Sequence, residues 1–259
     1  METDNRTLPI IPEKDKNTLS LELMHRMRLH GMAMAFTESL NSTVAENMPP
    51  DAFLVWLLSR EWDYRATAAI QRLIKSAAFR YNAYPEEIDY SCARNLDRNQ
   101  MERLFSMDFV RQARNLFITG PSGTGKSFIA TALGHEACKS GIRTVYSNAA
   151  KLLGNLKVAK ARGVLDTELK KIERAPLLIL DDLFLVSLDP KERPILMDII
   201  EDRHGRKSMI ITSQIPVANW YEAIGDPTVA DAMLDRIVHS AMRIELTGES
   251  LRKTKPKKG

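Results

Sequence analysis

The sequence predicts an α/β protein: a five-stranded parallel sheet covered by helices on both faces, preceded by a small all-helical domain. Three observations predict it. Five short apolar runs, NLFIT (115–119), RTVYS (143–147), LLILD (177–181), SMIIT (208–212) and MRIEL (242–246), alternate with helical patterns, and that alternation builds parallel sheets. The stretch up to about Tyr90 carries helical spacing throughout. A glycine-rich octet stands between the first strand and the next helix.

The bulk properties suit this architecture. A chain of 259 residues with 44% hydrophobic and 27% charged residues has ample material for a core and room for two domains. The formal net charge of +4 leans toward acidic partners such as nucleic acid. Two cysteines, Cys92 and Cys138, lie outside any metal-ligand spacing, as expected of a reduced compartment. The opening METDNRTLPI has no signal pattern, and no apolar run approaches a membrane span. A cytoplasmic protein without membrane contact is the expectation.

Residues 1–90 read as the helical domain. Leu23, Met27 and Met34 keep helical spacing, with Gly31 as a corner between two helices. After two prolines, Asp51 is placed to cap a long helix whose apolar positions run from Phe53 and Leu57 to Leu73 and Ala77. Arg65, Arg72, Lys75 and Arg80 fall on another side of it. That basic stripe suits a solvated face, or a surface that contacts phosphates. YPEEIDYS links this domain to residues 91–259, which end in the basic tail LRKTKPKKG, expected to be disordered.

The octet GPSGTGKS carries the chemistry. Gly120, Pro121, Ser122, Gly123, Thr124, Gly125, Lys126 and Ser127 match G-x-x-x-x-G-K-[ST] in full, and strand and helix flank them as the motif requires. Glycines let the backbone wrap an anion, so that amides and a helix N-terminus face it. Lys126 is expected to reach the β- and γ-phosphates of ATP, Ser127 to ligate Mg²⁺, and Phe128 to follow at the site's edge. The third strand ends in Asp181, the expected second metal-site residue, and Asp182 follows as the candidate that polarises water. At the fourth strand's end, Thr212, Ser213 and Gln214 enter the same crevice, with Gln214 suited to hold the water.

These motifs, together with DAMLDRIVHSAMRIEL (231–246), resemble the AAA+ ATPases over about 97–252. The chain also resembles, over nearly its whole length, the IstB family of transposition helper ATPases, and more distantly the DnaC helicase loader. The residues that carry this are MRLHGMAMAFTE, LDRNQMERLFSMDFV and RIELTGESLRK. The resemblance implies ATP-dependent, sequence-nonspecific binding of duplex DNA, self-assembly into a homo-oligomer, and action beside a transposase. It places Gln214 with Ser213 at sensor 1, Arg236 as the arginine finger and Arg252 at sensor 2. Asp182 stands where many relatives carry Glu, one methylene longer, which suits a slow switch. Lys157, Lys160 and Arg162, between the second and third strands, match the region that faces nucleic acid in initiator-type ATPases, though a solvated helix face explains them equally.

Arg236 has no acidic residue at i+3 or i+4, which favours a reach across a subunit interface over a helix-surface pair. Arg243, on the fifth strand, is expected to pack against a carboxylate at the sheet edge. Competing readings are a helicase loader, a small-molecule phosphotransferase and a DNA-binding protein with a relict site. The phosphotransferase reading lacks a basic substrate lid after the third strand; complete Lys126, Ser127 and Asp181 argue against the relict site.

Overall fold

The computed structural model describes residues 16–43, 48–239 and 241–251. The chain forms two compact units, Met1–Ala69 and Ile70–Gly259. The division lies inside a long helix, upstream of the boundary at 90 read from the sequence. The cause is that Ala83 and Ile88 are buried in a core cluster of the second unit.

In the first unit, α1 (Lys16–Arg26) and α2 (His30–Leu40) are joined by a turn in which Arg28 takes a left-handed φ of 58°. Gly31 is therefore not the corner; it lies inside α2. A Cβ there would come within 2.6 Å of the Arg60 carbonyl oxygen and of the Tyr64 side chain, so its role is close helix approach. Those partners belong to α3 (Pro50–Ala77). Met32, Ala35 and Leu57 form a small core with Phe36, Phe53 and Trp56 against it. Glu61 is buried, accepting from the Met32 amide at 3.1 Å and from Arg65 Nε at 2.6 Å. Burial works against its ionisation, but the Arg65 guanidinium and the Met32 and Gly31 amides prevail and hold the carboxyl below its ordinary range.

The second unit is the expected sheet. After a 3-10 turn at Pro85–Glu87 come α4 (Arg98–Phe105) and α5 (Asp108–Arg111), and then β1 (Leu116–Thr119), α6 (Lys126–Lys139), β2 (Thr144–Asn148), α7 (Ala149–Ala161) and α8 (Leu165–Glu173). They are followed by β3 (Leu177–Asp181), α9 (Glu192–Arg203), β4 (Ser208–Ser213), α10 (Trp220–Ile224), α11 (Pro227–Val238) and β5 (Met242–Glu245). All pairings are parallel, in the order β2-β3-β4-β1-β5. Every residue of β1, β3 and β4 is buried, as both faces of such a sheet are covered. One face packs on α6 through Ile129 and Leu133; the other packs on α9, α10 and α11 through Ile195, Ile199, Trp220 and Met233. β4 thus separates β1 from β3, and its Ser213 stands in register with Thr119.

Candidate nucleotide site

The carboxyl ends of β1, β4 and β3 place the motif residues side by side, where open parallel sheets bind ligands. The loop after β1 needs its glycines. Gly120, Gly123 and Gly125 take φ of 142°, 85° and 97°, conformations costly for any L side chain. Space forbids a side chain as well. A Cβ at Gly120 would lie 2.2 Å from the Leu246 carbonyl oxygen, and one at Gly123 would lie 2.0 Å from Ser250 Oγ. Leu251 N–H also donates to the Gly123 carbonyl at 3.0 Å. The segment after β5 is thereby fastened to the loop.

Lys126 opens α6 at 4% exposure, with Nζ donating to the Pro121 carbonyl at 2.8 Å beside a parallel bond from Thr124 Oγ1 at 2.9 Å. Ser127 is half-buried in the first helical turn. Phe128 stacks on Tyr81, ring centroids 6.4 Å apart and planes 17° from parallel.

Asp181 is 1% exposed and held on both oxygens by hydroxyls. Tyr146 donates to Oδ2 at 2.6 Å and Thr212 to Oδ1 at 2.7 Å. Burial first, and then the Asp181 carboxylate, push the Tyr146 phenol far above its usual value, so it stays a proton donor. Thr212 Oγ1 also accepts the Asp182 amide at 2.8 Å, fixing Asp182 in a left-handed φ of 56°. Ser213 Oγ donates to the Leu183 carbonyl at 2.8 Å. Gln214 is half-buried and makes no hydrogen bond recorded among the described residues. At the carboxyl end of β4 the side-chain hydrogen bonds therefore come from Thr212 and Ser213.

Other candidates lie elsewhere. Lys157 is engaged: Nζ pairs with Asp189 at 2.5 Å and Glu192 at 2.9 Å, tying α7 to the start of α9. Those bonds hold its charge on the ammonium. In the single chain it therefore ties two helices together. Lys160 and Arg162, at the end of α7, and Arg72 and Lys75, on α3, are exposed, whereas Arg65 pairs with Glu61. Arg236 has the counter-charge that its own helix lacks, since Nε meets Glu201 Oε2 of α9 at 2.5 Å. Arg243 is exposed, and no carboxylate pairs with it among the described residues, so its expected sheet-edge carboxylate is not there. Arg252 and the tail beyond it lie outside the described residues.

Sequence reasoning missed three residues that the fold brings to these places: Tyr146, Glu201 and Arg94. The last is a buried arginine whose Nη1 donates to the Thr124 carbonyl at 3.1 Å. Only Tyr146 left a trace in the pattern, two positions before the end of a strand whose neighbour ends in Asp181.

The residues present fit a nucleotide and its metal ion: a loop whose three glycines take backbone turns that L side chains rarely adopt, a lysine within it, a serine, and a buried carboxylate with lone pairs to spare. They define a P-loop nucleotide-binding protein. The family model for the IstB-like ATP binding protein matches residues 22–259, and the chain belongs to that family. It is 42% identical over 239 residues to a Sinorhizobium fredii protein named as an insertion sequence ATP-binding protein, covering 92% of this chain and 98% of that one. It is 37% identical to the insertion sequence IS1162 ATP-binding protein of Pseudomonas fluorescens, covering 76% and 86%. The crystal structure of DnaI shares the fold at a TM-score of 0.54 and 20% identity, covering 70% of this chain and 92% of DnaI. No described helix is long and apolar enough to cross a membrane.

Proposed function

We propose that this chain is an ATP-hydrolysing helper of DNA transposition, which binds duplex DNA without sequence choice, assembles on it as a homo-oligomer and assists the transposase of its element. The observation that carries this reading is an intact phosphate loop with a hydroxyl-held Asp181 in a chain whose relatives are named for insertion sequences.

Each residue then has a task. The loop amides and Lys126 bind the triphosphate. Ser127 and Asp181 hold Mg²⁺, which when bound offsets phosphate charge. Tyr146 and Thr212 orient the Asp181 carboxylate. Asp182 positions and polarises the attacking water, with Gln214 as a further polar group. Its aspartate length and strained backbone suit slow, switch-like turnover. Lys160, Arg162, Arg72 and Lys75 supply phosphate contacts on DNA.

Arg236 is assigned to the γ-phosphate of a neighbouring subunit, with Glu201 as its partner in the single chain. Glu201 is 57% exposed, so this pair is worth about 1 kcal/mol or less and exchanges readily.

Two experiments test the reading. Sizing the protein on plasmid-length duplex with ATP, with ADP and without nucleotide should give large assemblies that depend on ATP and weaken steeply with salt; no change of size under any condition refutes it. Mixing Arg236→Ala with Lys126→Ala, each inactive alone, should restore part of the ATPase activity on DNA. A mixture that stays inactive although both variants bind DNA removes the trans role of Arg236. A pull-down that captures a replicative helicase and no transposase would favour the loader reading.

A further inference from the structure

Arg94 lies in the stretch between the 3-10 turn and α4, well before the phosphate loop in sequence. Its side chain is 4% exposed. Nη2 donates to the Asp89 carbonyl at 2.6 Å and Nη1 to the Thr124 carbonyl, inside the phosphate loop, at 3.1 Å. Nε is buried and has no partner. Among the described residues no carboxylate forms a contact ion pair with this guanidinium, although the Asp89 carboxylate is near enough to feel its charge. The nearby Asp89 carboxylate is taken up by the Ser91 amide and hydroxyl at 2.8 and 2.6 Å and by Cys92 Sγ at 3.1 Å.

The arginine cannot swing out easily. The Thr247 amide donates to the Arg94 carbonyl at 3.1 Å, and Asn95 Nδ2 donates to the Glu245 carbonyl at 3.0 Å. From the loop side, a Cβ on Gly125 would lie 2.7 Å from Arg94 Nη1. Gly125 therefore leaves room for this guanidinium as well as permitting the loop's own turn.

A cation in this place is costly. A buried charge without a counter-ion is disfavoured, and two carbonyls could be capped by a neutral amide. What a guanidinium adds is fixed positive charge, set against the backbone of a loop whose amides face polyphosphate. The Asp89 carboxylate, engaged elsewhere, acts only from a distance; a close counter-charge is then the ligand's.

We propose that Arg94 is a positioning residue for the nucleoside triphosphate: it draws the Thr124 carbonyl outward, so that the loop amides stay turned to the phosphates, and its buried charge gains a close counter-charge when the loop holds them. The proposal rests on the ATP-binding reading and extends it beyond Lys126. Arg94 weakens the empty protein and strengthens the loaded one.

The test compares Arg94→Met, Arg94→Gln and Arg94→Lys with the unsubstituted protein, and with Lys126→Ala as reference. Melting temperature without nucleotide is read beside affinities for ATP, ADP and AMP. Arg94→Gln, which keeps a cap without the charge, should melt at the same or a higher temperature. It should bind ATP at least tenfold more weakly, ADP less affected and AMP hardly at all. Arg94→Met should follow it, and Arg94→Lys should recover much of the ATP affinity. Unchanged ATP affinity in Arg94→Gln overturns the proposal. So does a lower melting temperature with equal loss for all three nucleotides, which marks a structural strap. Should Arg94→Met fail to fold, the Gln and Lys variants decide alone. If the unsubstituted protein binds no ATP, or Lys126→Ala binds it equally, the ATP-binding reading itself is what fails.

Discussion

Two buried arginines mark opposite edges of the sheet, and they differ in how fully they are satisfied. Arg203, 1% exposed at the end of α9, donates to four carbonyls: Ile172 at 3.4 Å, Ala175 at 3.0 Å, Pro176 at 3.0 Å and Ser208 at 2.6 Å. These flank the amino-terminal starts of β3 and β4. Arg94, at the carboxyl edge, reaches two carbonyls, one of them in the phosphate loop. Burial lowers the Arg203 pKa to about 10, which still leaves it charged at neutral pH. Each leaves its buried Nε without a partner, but Arg203 has four backbone carbonyls around its two terminal nitrogens and Arg94 has two. The guanidinium with more carbonyls around it ties the fold together; the one with fewer, set against the phosphate loop, is placed to serve a ligand.

The largest expected effect follows from that contrast. Arg203→Met strands several buried carbonyls and should cost about 3 kcal/mol or more in chemical denaturation, while the fraction that folds binds ATP normally. A loss of ATP affinity in folded Arg203→Met would break the division between the two edges.

Thr212→Val comes next. It leaves the Asp182 amide and Asp181 Oδ1 without their shared partner, and should cost about 1–3 kcal/mol and slow turnover more than it weakens ATP binding. Equal turnover in this variant would remove Thr212 from the site. Tyr146→Phe takes one hydroxyl from Asp181 and should cost about 1 kcal/mol, with a smaller fall in turnover. Since the Tyr146 phenol keeps its proton far above neutrality, the difference from the unsubstituted protein should be constant from pH 6 to 9.

The smallest effect sharpens the comparison by adding a buried base that does titrate. His135 on α6 stacks on Phe79 at 4.5 Å and meets Tyr84 edge-on at 5.5 Å. Burial, and then Lys139, lower its pKa from 6.5. The folded chain keeps His135 neutral while the unfolded chain takes up a proton. Its stabilising share is therefore present above about pH 6.5 and is lost as pH falls through that value. His135→Phe should flatten the acid side of the stability profile; an unaltered profile would assign the acid loss to other groups.

What was legible in the sequence was whatever is encoded locally. GPSGTGKS and LLILDD define their own geometry, because glycine placement and a continuous apolar run are properties of adjacent residues. All five strands appeared within a residue or so of their expected ends. What was not legible depends on which distant elements become neighbours. Arg94 is an ordinary residue of a loosely patterned stretch until the fold sets it under Thr124. Arg236 lacked a partner only along its own helix; Glu201 comes from α9. Lys157 looked like a free basic residue because nothing nearby in sequence announces Asp189 and Glu192 across from it.

The strand order also sets a schedule for making the site. β1, which launches the phosphate loop, pairs only with β4 and β5, strands that the ribosome makes long after it. By contrast, β2 and β3 pair with each other soon after synthesis. Closing such distant pairings is slow, since the loop-closure entropy is spent before any contact repays it. A growing chain thus carries a complete GPSGTGKS for about a third of its synthesis with no strand beside β1 to hold it. Nucleotide can select only chains whose fourth and fifth strands have already docked.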